Sequence, residues 1–64
     1  MKFHVPDMSC GHCTAAITRQ IASVDPQAKV TTDLDAHTVE ITTTQPDAAM
    51  IDAIKAAGYG ATPA

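Results

Sequence analysis

Two of the 64 residues are cysteines, and both lie in one hexapeptide, M-S-C-G-H-C, Met8 to Cys13. Cys10 and Cys13, three positions apart with His12 between them, allow three kinds of chemistry: a redox couple, half of a zinc site, or a two-thiolate grip on a soft metal ion. The count of further ligands separates these. A structural zinc site takes four protein ligands, commonly two Cys-X-X-Cys pairs or cysteine with histidine at set spacing. The other imidazoles here are His4, His12 and His37. His4 reads as a solvent-facing strand residue and His37 as part of a distant hairpin. The His12 side chain is expected to point away from a site enclosed by both sulfurs. A thioredoxin-type redox unit normally carries its motif in a larger βαβ fold, with aromatic or proline neighbours that this motif lacks. A two-coordinate Cu(I) site needs only the pair, so Cu(I) fits best.

The elements that must hold the pair follow from periodicity. Lys2–Val5 alternates polar and apolar residues and stops at Pro6, as a short half-buried strand does. Asp7–Gly11 reads as loop, with Ser9 as the candidate N-cap. From His12 to Val24, Cys13, Ile17, Ile21 and Val24 recur at helical spacing, and Pro26 ends the run. Val30, Thr32 and Leu34, then Val39 and Ile41, alternate with polar residues on either side of D-L-D-A-H (Asp33–His37), which predicts a hairpin. Thr44 is the candidate cap of a second helix with Pro46 in its first turn, Ile51 and Ile54 on its apolar stripe beside Met50 and Ala57, and Gly58 as its stop. Y-G-A-T-P then forms a last short strand. Strand, helix, strand, strand, helix, strand is the split βαβ order of an α+β, ferredoxin-like βαββαβ sandwich: a four-stranded antiparallel sheet with two helices on one face. Residues 1–64 read as a single domain.

This places Cys10 in the loop and Cys13 in the first turn of a helix, where free amides and the helix dipole favour thiolate. A cysteine so placed, or in a Cys-X-X-Cys motif, has its pKa lowered from ~8.5 to ~3.5–7.5.

Composition narrows the function classes. Phe3 and Tyr59 are the only aromatic residues, so the core is aliphatic. A bridge between Cys10 and Cys13 would constrain the unfolded chain very little, so the fold stands on that core. The net charge is −3, and the four basic residues are scattered, which argues against nucleic acid and anionic membranes as partners. No apolar run approaches the ~18 residues of a membrane span. The polar N-terminus lacks the apolar stretch of a signal peptide, so the expected location is the cytoplasm, where thiols stay reduced. No Ser/His/Asp set or carboxylate pair suggests catalysis, and the protein is not expected to be an enzyme.

M-S-C-G-H-C after a strand, the aliphatic helix, V-T-T-D-L-D-A-H-T-V-E-I and I-D-A-I-K-A-A-G-Y-G-A together resemble the heavy-metal-associated domain family. That family includes small copper chaperones and the metal-binding domains of copper-transporting P-type ATPases. The resemblance implies that Cys10 and Cys13 bind Cu(I) and pass it to an ATPase metal-binding domain by ligand exchange. It implies a monomer when metal-free, with a metal-bridged dimer as a further state in which His12 could serve as a third ligand. Met8 matches the family methionine, which packs beneath the loop, and Tyr59 the residue that shields the metal. Pro6-Asp7 stands where many members have glycine before the methionine, and an Asp7 carboxylate would suit Zn(II). Zinc- and cadmium-type members, however, carry aspartate where this chain has Ser9, which tilts the expectation to Cu(I). The alternatives are an ATPase metal-binding domain, or a cytosolic buffer for Cu(I), Ag(I), Au(I), Hg(II) or Zn(II). An ATPase domain of more basic character is the expected partner.

Overall fold

The computed structural model describes residues 1–64. Its elements are β1 (Lys2–His4), α1 (Gly11–Val24), β2 (Lys29–Asp33), β3 (Thr38–Thr42), α2 (Asp47–Ala56) and β4 (Thr62–Pro63). The strands form one four-stranded sheet in the order β2-β3-β1-β4. Every neighbouring pair is antiparallel.

Alternation decides which face of the sheet is covered. Phe3 on β1 and Val39 and Ile41 on β3 are buried, whereas Lys2, His4, Glu40 and Thr42 are exposed. Phe3 lies opposite Val39 in the β1–β3 register, so the apolar residues of the two central strands meet on one face. Both helices cover that face. α1 contributes Cys13, Ile17 and Ile21, which recur every four residues, and α2 contributes Met50, Ala53 and Ile54. With Val5 and Met8 they form a single cluster of 11 buried residues that includes no polar side chain. The edge strands are thinner. Val30 and Thr32 on β2 are half-buried, and Pro63 occupies the edge strand β4, where its missing N–H leaves no ladder bond unmade.

Several local expectations shift by a residue or two. Val24, the last residue of α1, is 40% exposed, and Leu34 falls one residue beyond β2 and is 38% exposed. Each continues its element's apolar period, but by then the chain is already turning away from the core. Ser9 is not the cap of α1. The N-cap is Cys10, in extended conformation with no side-chain cap bond, because the helix starts one residue later than a Ser9 cap requires. Nor does Thr44 cap α2, which begins at Asp47 with Pro46 as N-cap at φ −68°. Proline has no side-chain acceptor to offer, and its ring-fixed φ supplies the entry to the helix instead. The neighbouring Thr43 hydroxyl donates to Asp25 Oδ2, tying the turn after α1 to the approach to α2.

A glycine shapes the exit of α2. Gly58 has φ 98°, in the left-handed region; its N–H donates to the Lys55 carbonyl at 2.9 Å, and the Tyr59 N–H donates to the Ile54 carbonyl at 3.3 Å. These two bonds are the Schellman ending of a helix, and they fix where Tyr59 leaves the chain. Replacing Gly58 with alanine should destabilise the fold by about 1–2 kcal/mol, the penalty of a left-handed Cβ. A urea titration of the variant against the parent measures it.

Candidate metal centre

Local chain geometry brings the two cysteines together before any side chain is considered. The Cys10 carbonyl accepts from the Cys13 N–H at 3.1 Å and the Thr14 N–H at 3.3 Å, so Cys10 is the hinge on which α1 opens. The thiols then lie 3.3 Å apart, sulfur to sulfur, and neither is in a disulfide. Their surroundings differ sharply. Cys13 sits on the buried stripe of α1, four residues before Ile17, whereas Cys10 is exposed. One sulfur is held by the core and the other faces solvent.

Electrostatics favours the charged form at the held sulfur. The Cys13 pKa is lowered from 9.0 to about 7, chiefly by the Tyr59 hydroxyl as a hydrogen-bond donor. The Ser9 backbone, the Cys10 side chain and the Cys10 backbone add to this, and desolvation opposes it. The Tyr59 contact is looser than the thiol–thiol one, since only the two sulfurs close into a formed hydrogen bond. The effect is reciprocal: a donor to Cys13 holds on to its own proton, and the Tyr59 pKa is raised, first by that bond and then by burial and nearby negative charge. The start of α1 reinforces the trend, because it carries neither an acidic residue nor a side-chain cap, and its unpaired amides stay available to negative charge.

The remaining candidates are distributed as follows. Met8 is fully buried in the core beneath the loop. Ser9 is exposed and acts on Cys13 through its backbone rather than its hydroxyl. His12 is exposed on the first turn of α1, and Tyr59 is half-buried. No group of three or more His, Cys, Asp or Glu side chains converges anywhere in the structure. His37 departs from the expectation of a distant hairpin residue. Its ring Nδ1 donates to the Met8 carbonyl at 2.9 Å, two residues before Cys10. The β2–β3 hairpin folds over the loop, and periodicity carries no signal for that.

A site of two thiols, one buried and one free, with a tyrosine facing them, now sits on a βαββαβ frame. The heavy-metal-associated domain model matches residues 2–60. The chain belongs to the heavy-metal-associated domain family. Among solved structures, the copper chaperone Atx1 of Synechocystis PCC6803 superposes with a TM-score of 0.94 at 31% identity, covering 97% of this chain and 98% of that one. A gold-binding protein gives a TM-score of 0.90 at 31% identity, over 95% and 94% of the two chains. A protein of Agrobacterium tumefaciens gives 0.86 at 38% identity, over 94% of each. No curated relative matches the chain. No helix of this heavy-metal-associated domain is long and apolar enough to cross a membrane.

The sign of the Cys13 shift makes a prediction. A lowered folded-state pKa means that the thiolate stabilises the fold above the pKa of the unfolded thiol, and that this contribution is lost as pH falls through about 7. Ultraviolet titration of the reduced protein should therefore show one thiol ionising near 7, and Tyr59→Phe should move that midpoint up toward 9.0.

Proposed function

We propose that this protein is a cytoplasmic copper chaperone that holds Cu(I) between Cys10 and Cys13 and delivers it to the metal-binding domain of a copper-transporting P-type ATPase. The observation that carries this reading is the thiol pair itself: two sulfurs at 3.3 Å, one already poised to ionise at about 7, with no third His, Cys, Asp or Glu beside them. Soft thiolates prefer Cu(I), and Cu(I) accepts two-coordination. Zn(II) in the same place would lack half of its usual four ligands.

Loading asks for a small movement. Two metal–sulfur bonds of about the 2.3 Å known for Zn–S, set in line, put the sulfurs about 4.6 Å apart. The pair must therefore spread from 3.3 Å, and exposed Cys10 is the sulfur free to move. The same asymmetry supports handover. A two-coordinate ion has room for a third thiolate, so a partner cysteine binds before Cys10 lets go, and the ion is never released to water. Tyr59, facing Cys13, limits access from its side. The chemistry is ligand exchange, with no substrate bond made or broken. Contacts between such domains are small and transient, and the net charge of −3 suits a partner of more basic character by speeding encounter. The protein is monomeric without metal, and a metal-bridged dimer would use the exposed Cys10 side, where His12 is within reach of a second copy's ion.

A second reading, a buffer for another soft ion such as Au(I) or Ag(I), is favoured by the likeness to a gold-binding protein. Anaerobic titration of the reduced protein with Cu(I) against a colorimetric competitor, with Zn(II) and Ag(I) in parallel, tests both. One Cu(I) per chain, held against the competitor and displacing Zn(II), is expected. Preference for Zn(II), or no uptake, overturns the copper assignment. Cys10→Ser and Cys13→Ser should each lose the tight site, and a single variant of unchanged affinity would rule out the two-thiolate site.

A further inference from the structure

The turn that leads into the Cys10 loop, Val5 to Met8, is tied down at both ends by one residue of the β2–β3 turn. The Val5 N–H donates to the His37 carbonyl at 2.7 Å, and the His37 Nδ1 donates to the Met8 carbonyl at 2.9 Å. Between these points the chain makes a turn through exposed Pro6 and Asp7, closed by the Met8 N–H to the Val5 carbonyl at 3.1 Å. The Met8 carbonyl takes no backbone hydrogen bond, so the His37 ring is its protein donor. A carbonyl only accepts, so Nδ1 must carry the proton. Both the neutral Nδ1–H ring and the imidazolium satisfy this.

His37 also occupies an unusual backbone position. Its φ is 55°, the only positive value at a non-glycine residue. Histidine is one of the non-glycine residues that adopt this left-handed region most readily, and the corner it forms carries the ring to the Met8 carbonyl. The hairpin corner, the buried Met8 and the Cys10 hinge form a continuous chain: ring to Met8 carbonyl, two residues to Cys10, and the Cys10 carbonyl to the first amides of α1.

We infer that His37 is a positioning residue for the metal loop, a clamp that limits how far Cys10 swings away from Cys13. The inference rests on the reading of the two cysteines as the metal site. The clamp holds the backbone rather than the sulfur, so it restrains the loop without occupying the coordination sphere. It leaves Cys10 enough freedom to spread for a metal and too little to leave the site unaided.

Two variants isolate the ring from the backbone. His37→Gly keeps the positive φ and removes the donor. His37→Asn tolerates the same φ and places an amide nitrogen as many bonds from the backbone as Nδ1 is. His37→Gly should hold Cu(I) about tenfold less tightly against the colorimetric competitor, the lower end for loss of a group supporting metal ligands. In the metal-free protein it should also speed amide hydrogen exchange at Met8, whose N–H is bonded to the Val5 carbonyl, with the exchange of β1 and β3 unchanged. His37→Asn should restore both. Equal Cu(I) retention and equal loop exchange in parent and glycine variant would overturn the clamp, as would a loss spread over the whole fold that asparagine does not rescue. If the parent itself takes up no Cu(I), the copper reading falls, and loop exchange in the metal-free variants still decides the clamp.

Discussion

Cys13 belongs to two structures at once. It lies in the first turn of α1 and also on the stripe, continued by Ile17 and Ile21, that packs the helix onto the sheet. The hydrophobic effect that seats α1 therefore seats one sulfur as well, and the position of that sulfur is as firm as the core. Everything else at the site adjusts around this fixed point. Cys10 closes on it through a hinge of main-chain hydrogen bonds, Tyr59 reaches it from the far end of α2, and the Ser9 backbone faces it across the loop.

The charge on Cys13 is set by hydrogen bonding against a burial penalty, and hydrogen bonding wins. The winning donor depends on a glycine. Only a residue at ease with φ 98° closes α2 through the Schellman pair, and that closure sends Tyr59 back toward the cysteines rather than onward along the helix axis. The link from backbone to function is short here: a left-handed residue ends a helix, the next side chain meets a thiol, and the thiol ionises nearer to neutral pH. The raised pKa of Tyr59 keeps the donor protonated where it is needed.

The features legible from periodicity share a cause. Strands, helices, their order and the buried faces follow from local alternation and helical spacing, and Phe3, Ile17, Ile21, Val39, Ile41 and Ile54 all land in the core. The departures lie where local rules compete. Ser9 and Thr44 each have the right chemistry for an N-cap, but the first helical amides bond to the Cys10 carbonyl and proline geometry opens α2 at Pro46, so the helices begin one residue after each of these. Val24 and Leu34 keep the apolar period past the point where the core ends.

Sequence alone determined that two thiols three residues apart stand at the junction of a strand and a helix, on a split βαβ frame, because residue type, spacing and periodicity are properties of neighbours along the chain. Tertiary structure alone decided that the two sulfurs close to 3.3 Å, that Tyr59 lowers the Cys13 pKa, and that His37 reaches the Met8 carbonyl across 29 positions of chain. These last contacts join segments distant in sequence. They exist only once the aliphatic core has collapsed and carried the hairpin and the end of α2 to the loop.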